Sequence, residues 1–144
     1  MTADEFRRPE SVLVIIHTPA HECLLLKRVK PTGFWQSVTG TLHWDETPAQ
    51  TAAREVWEET GLAGDELRDA KVQRHFPILP AWRDRYGPDV NENLEHLWYL
   101  PITTACVVTL NSAEHSTYRW LELEEAIVTV SSWTNRQGLE RLRE

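Results

Sequence analysis

Cysteine is nearly absent from this chain. Only Cys23 and Cys106 occur, each within an apolar stretch and neither at a spacing that suits a metal pair, so both read as buried free thiols. Long apolar runs are missing as well. The longest aliphatic runs cover residues 12–16 and 24–26, whereas a bilayer span needs roughly 20 residues, so no membrane partner is expected. The opening residues Asp4, Glu5, Arg7 and Arg8 lack the features of a secretory signal, which makes the cytoplasm the expected location. Positive charge is in deficit. With 15 Lys and Arg against 22 Asp and Glu, the net charge of -7 argues against broad nucleic-acid binding, which needs a cationic surface. A polyphosphate substrate would then depend on a metal or a few well-placed arginines. There is no repeat, low-complexity tract or linker, and 144 residues suit one domain spanning 1–144. Nothing in the sequence specifies an oligomeric state.

What is present is the makings of a packed fold: 41% hydrophobic and 26% charged residues. Residues 11–17 and 23–28 are rich in Val, Ile and Leu around a polar turn and read as paired strands. A short extended piece follows at 34–38. Residues 67–76, 95–100 and 117–121 are further strand candidates, and 122–127 and 135–143 are candidate helices. Between 77 and 91, three prolines and a glycine mark a long loop of the kind that often serves as a substrate lid. The order is mixed α and β.

One helix has explicit start and stop signals. Thr47 is a suitable N-cap, Pro48 a suitable first helical residue, Gln50 completes a capping box, and Gly61 provides the stop. On a wheel of 100° per residue with Glu55 at zero, Glu58 falls near about 300° and Glu59 near about 40°, so three carboxylates share one face. Ala49, Ala52, Ala53, Val56 and Thr60 form an apolar stripe beside them, which predicts acids at the edge of the core. Like charges at i,i+4 cost about 0.2–0.5 kcal/mol, and anions near a helix C-terminus oppose its dipole. A divalent cation converts that repulsion into coordination by hard oxygen ligands.

These acids sit in a wider pattern. From Gly40 the chain reads glycine, five residues, Glu46, seven residues, then Arg54-Glu55-Val56-Trp57-Glu58-Glu59-Thr60-Gly61-Leu62. This segment, residues 40–62, resembles the signature box of the Nudix hydrolases at every fixed position. The resemblance implies a Nudix-type α/β/α sandwich with a mixed β-sheet, and a Mg²⁺ or Mn²⁺ cofactor beside a diphosphate linkage that is cut by water. It also implies metal ligation by Glu55 and Glu59, with Glu58 in or next to the metal shell and the Gly40 carbonyl as a further ligand. Arg54 would orient the carboxylates, and Glu46 would pair with Arg54. Glu114, next to His115, matches a downstream acidic position of relatives and is the candidate third ligand or general base. Thr39 before Gly40, His43 in place of a common glutamate and Asp45 in place of glycine depart from many relatives without touching a fixed position.

Residues outside the box narrow the resemblance. The segments 34–40, 85–88, 114–120 and 132–137 are similar to the branch of the family that converts 7,8-dihydroneopterin triphosphate to the monophosphate and pyrophosphate. A small-molecule triphosphate partner follows. Arg28 and Arg7 are the leading phosphate-binding candidates, with Lys27, Arg83 and Arg85 behind them, and Arg28 is expected to end a strand running beside the box loop. Trp35, Phe76, Trp82 and Trp133 are candidates to stack on a flat heterocycle. Resemblance adds Thr39 beside the phosphates, and Phe76, Pro77, Ile78, Leu79 and Ser132 around the substrate. Two other readings compete. Pro77 lies 15 positions after Leu62, as in ADP-ribose hydrolases, and a Nudix-like sensor would bind a nucleotide without cutting it, although sensors usually lose the box glutamates retained here.

Overall fold

The computed structural model describes residues 6–144, so Asp4 and Glu5 lie outside the described residues. The strands are β1 (Glu10–His17), β2 (Glu22–Arg28), β3 (Trp35–Gln36), β4 (Val38–Thr41), β5 (Arg68–Pro77), β6 (Glu92–Pro101) and β7 (His115–Glu122). The helices are α1 (Pro48–Thr60), α2 (Leu123–Thr129) and α3 (Trp133–Glu140). No helix among the described residues is long and apolar enough to cross a membrane.

β1 organises the sheet. It runs parallel to β6 along its length and antiparallel to β4 over residues 11–14, while β5 flanks β6 antiparallel, making a mixed sheet. The expected β1–β2 hairpin is therefore only partly realised. The two strands share one register pair, His17 with Cys23, before β4 takes over beside β1 and β7 pairs along β2. Alternation along β1 feeds both layers. Val12, Val14 and Ile16 pack with Ala52 and Val56 of α1, whereas Leu13 and Ile15 pack with Ala126, Ile127 and Leu139 from α2 and α3. Helices thus cover both faces, as the α/β/α expectation requires.

The helix signals act as read. Thr47 Oγ1 accepts from the Gln50 amide at 3.2 Å, and Gln50 Oε1 accepts from the Thr47 amide at 3.0 Å. Gly61 closes the helix with φ +75°, a left-handed conformation suited to glycine. The buried face is only partly the expected one: Ala52, Val56 and Thr60 are buried as read. Ala49 and Ala53 are exposed, and the buried set is Thr51, Ala52, Val56, Glu59 and Thr60. That arc is centred close to Glu59 on the wheel, so this acid is in the core rather than at its edge. The apolar residues alone could not reveal the rotation, because it answers to what the sheet presents.

The long loop carries local structure of its own. Residues 80–85 form a 3₁₀ helix (Pro80–Arg85), Ile78 donates to the Asn91 carbonyl at 2.9 Å, and Arg7 donates its amide to the Arg85 carbonyl at 2.8 Å. Its prolines set short-range turns, and the loop is a structured wall.

Candidate active site

The box loop and the middle of α1 meet where Gly40 passes under Glu55. A Cβ added to Gly40 would lie 2.1 Å from the Glu55 carboxyl carbon, so only glycine leaves room for that carboxylate against β4. Arg54 then ties the acids together. Its Nε and Nη2 donate to the two oxygens of Glu46 at 2.7 and 2.8 Å, Nη1 donates to Glu55 at 2.8 Å and to Glu58 at 3.3 Å, and Nη2 also reaches the Thr41 carbonyl at 3.2 Å. A planar guanidinium can make this fork and a lysine cannot. The Arg54 fork holds the Glu46 carboxyl down at about 2, assisted by the His43 amide and the Thr51 hydroxyl. Glu46 supports the site by anchoring Arg54 to the loop.

Arg8 adds a second anchor that sequence reading missed. Its Nη1 donates to the carbonyls of His43 at 3.0 Å, Trp44 at 3.3 Å and Glu46 at 2.9 Å, while Glu10 accepts from Nε and Nη2. One cation thus satisfies three carbonyls of the box loop. No local motif announces such a role for an arginine 35 residues away.

Glu59 is 1% exposed. Burial pushes its carboxyl well above the usual range, and the neighbouring Glu55 and Glu114 charges push it further. The Glu55 carboxyl is also raised, chiefly by burial, and hydrogen-bonds to Glu59. Glu59 Oε2 has no hydrogen-bond partner in the protein. An orphaned, buried carboxylate oxygen is costly unless a proton or a cation satisfies it. Ligand atoms of Glu59, Glu114 and His115 lie within 4.8 Å of one another. A hard divalent cation fits this donor set: crowded carboxylates, one of them with an oxygen to spare. Glu58 stands apart, half exposed and paired with Arg54.

His115 is a residue that sequence reading placed only as a neighbour of Glu114. It begins β7, is buried, faces the Gln36 amide nitrogen at 3.2 Å through Nε2, and lies 3.6 Å from Glu59. Burial, with help from the Arg28 charge, lowers its pKa to about 4, so the ring is neutral at physiological pH. Glu114 is exposed at the mouth of the same cluster.

A cleft of about 1560 Å³ reaches Glu55 and Glu114 at one end, with Glu59 and His115 buried behind its lining, and opens across the sheet face. Arg7, Arg28, Thr39, Phe76, Pro77, Ile78, Leu79 and Ser132 line it, together with Gly40, Glu55 and Glu114. Several details differ from expectation. Arg28 does not run beside the box loop, since β1 takes that place; it is paired in register with His115 instead. Arg85 lines the cleft, but Arg83 and Lys27 do not, and Lys27 lies over the Trp35 ring. Trp82 and Trp133 line it beside Phe76, whereas Trp35 packs against the core. The Ser132 hydroxyl is engaged in capping α3, accepting from the Asn135 amide at 3.2 Å. Asn93, Glu95, Thr134 and Asn135 line the sheet-face end and had no signal of their own in the sequence.

Comparison with known proteins agrees with this geometry. The chain is 38% identical over 144 residues to the dihydroneopterin triphosphate diphosphatase of Escherichia coli, covering 94% of this chain and 93% of the relative. It is 33% identical over 142 residues to the protein of that name from Haemophilus influenzae, covering 95% and 89%. The solved structure of the E. coli dihydroneopterin triphosphate pyrophosphohydrolase superposes with a TM-score of 0.87 at 35% identity, covering 94% of this chain and 95% of that one. The NUDIX domain model matches residues 7–142, and with the box geometry intact the chain belongs to the Nudix family.

Proposed function

We propose that this Nudix pyrophosphohydrolase cleaves 7,8-dihydroneopterin triphosphate to the monophosphate and pyrophosphate, with Mg²⁺, or Mn²⁺ in its place, held by Glu55 and Glu59. Glu114 and the Gly40 carbonyl complete the candidate ligand set, with Glu58 next to the metal shell. The observation carrying this reading is a single cleft joining Glu55 and Glu114 to a polar, aromatic-walled pocket on the sheet face. Two relatives named for this substrate match along nearly the whole length of the chain, flanks included.

The bound cation would offset charge on the phosphate oxygens and lower the pKa of water. The residues supply the rest. Arg54 and Glu46 hold Glu55 in register over Gly40. Arg28 and Arg7 line the cleft as countercharges for the phosphates that leave. A water oxygen forms the new bond to phosphorus as the bridging P–O bond breaks. Glu114, solvent-facing and within reach of Glu59 and His115, takes the water proton. The reaction belongs in the cytoplasm on this reading.

A substrate panel tests the proposal. Pyrophosphate release from dihydroneopterin triphosphate should exceed the rates on ADP-ribose and on deoxynucleoside triphosphates by at least about tenfold in kcat/KM. The reverse ranking overturns the pterin assignment. Binding without turnover of any of them, unchanged in Glu59→Gln, would identify a sensor.

A further inference from the structure

Glu95 is, with Glu59, one of two deeply buried carboxylates among the described residues, and the hydrolytic machinery does not use it. It lies on β6 with 7% exposure and lines the cleft. Register places it directly across β1 from the box strand, Glu95 opposite Ser11 and Ser11 opposite Thr41. Two strand spacings, about 10 Å, separate it from Thr41, a distance suited to the far end of a substrate whose phosphates lie at the box.

Its surroundings are short of donors. Arg74 stands opposite Glu95 on β5 and its charge favours the carboxylate, but its Nε donates to Gln137 Oε1 at 3.0 Å rather than to Glu95. The Thr134 hydroxyl is the hydrogen-bonding neighbour of the Glu95 carboxyl. Asn93, two residues earlier and so on the same face, spends its Nδ2 on Ser11 Oγ at 2.8 Å, which leaves its amide oxygen to accept. The sheet-face end of the cleft therefore presents a carboxylate with an amide oxygen beside it. A buried carboxylate with so few donors is expensive unless a ligand brings them. Ionised, it accepts two parallel N–H groups, the geometry that makes charge-assisted pairs strong.

We propose that Glu95 is a specificity-determining residue that reads the adjacent ring N–H and amino group of a 2-amino-4-oxopyrimidine, the edge shared by dihydropterin and guanine. The choice of pterin over guanine rests on the proposed function above; the donor-edge assignment rests on the surroundings of Glu95. Burial raises the Glu95 carboxyl to about 7, so it is partly protonated near neutral pH without ligand, and paired N–H donors favour the charged form.

The full-length enzyme with Mg²⁺ provides the test, using Glu95→Gln and Glu95→Asp with dihydroneopterin triphosphate, GTP, ITP and ATP. Glu95→Gln puts an amide N–H₂ against the donor edge. Its KM for dihydroneopterin triphosphate should rise roughly 10- to 100-fold, the cost of a lost charged hydrogen bond. Its kcat should stay within about threefold, since the group binds without taking part in the chemistry. Slow turnover of ATP, which lacks the edge, should not change, and the GTP-to-ITP preference should shrink. Glu95→Asp should fall between. Metal-free titration with unphosphorylated dihydroneopterin, read by tryptophan fluorescence, should show the same loss of affinity. A KM within about twofold of wild type for both 2-amino substrates, in variants that are folded by circular dichroism, overturns the assignment. If wild-type enzyme prefers GTP to dihydroneopterin triphosphate, the pterin reading fails, while the GTP-to-ITP ratio in Glu95→Gln still decides the role of Glu95.

Discussion

The two ends of the cleft both bury acids, but they treat them in opposite ways. At the box end Glu46 and Glu55 are gathered around Arg54, and Glu59 is pressed among Glu55, Glu114 and a neutral His115. At the sheet-face end Glu95 stands against Thr134, while the nearby Arg74 is engaged by Gln137. A box whose acids are pinned by protein and crowded together suits a cation, because its repulsion is relieved only by positive charge. A lone buried carboxylate suits a ligand that brings N–H donors. The general lesson is that the missing partner of a buried acid identifies what the site is built to accept.

Breaking the box end should give the largest effect. Glu59→Gln is expected to lower kcat/KM by about 1000-fold and to weaken Mn²⁺ binding, measured by isothermal titration. The same variant should melt about 2–4 °C higher than wild type in EDTA, because it removes a carboxyl whose ionisation is opposed by burial without a cation. Loss of activity with a lower melting temperature would instead make Glu59 a structural residue. Gly40→Ala comes next. Its Cβ displaces the Glu55 carboxylate, so activity should drop about 100-fold while the fold persists by circular dichroism.

Weakening the clamps gives smaller changes. Arg8→Ala frees the His43, Trp44 and Glu46 carbonyls, and the Mg²⁺ concentration for half-maximal rate should rise about tenfold with kcat less affected. Glu46→Gln provides a pH comparison. Because the folded Glu46 carboxyl lies near 2, below its ordinary 4.5, its stabilising contribution is present above 4.5 and lost as pH falls towards 2. Acid unfolding of the variant should be shallower in that window.

The smallest effect sharpens the contrast at the other end. The folded Glu95 carboxyl is raised to about 7, so its contribution has the opposite sign: stability is favoured below 4.5 and is lost as pH rises through 7. Ligand-free Glu95→Gln should therefore gain a few degrees over wild type at pH 8 and little at pH 4.5. An equal gain at both values would exclude a titrating Glu95.

Much of the box end was legible in the chain because its information is local. Thr47, Pro48, Gln50 and Gly61 fix the limits of α1, and helical periodicity then brings Glu55, Glu58 and Glu59 to one side without reference to the sheet. The spacing from Gly40 to Arg54 was readable too, although its reason, the Glu55 carboxylate lying on Gly40, is a tertiary contact. Arg8, His115 and Glu95 were not legible as site residues, since each acquires its role from strand register or from a loop far away in sequence. The rotation of α1 that buries Glu59 was hidden for the same reason.

The sequence by itself therefore determined the capped helix, the family and the carboxylate set, all of which follow from contacts within one 23-residue window. Only the tertiary structure decided which acid is buried without a partner, which arginine clamps the loop, and that a second lone carboxylate faces the cleft from β6. Those properties depend on what lies across a strand ladder or under a helix, and no local pattern encodes the identity of a neighbour dozens of residues away.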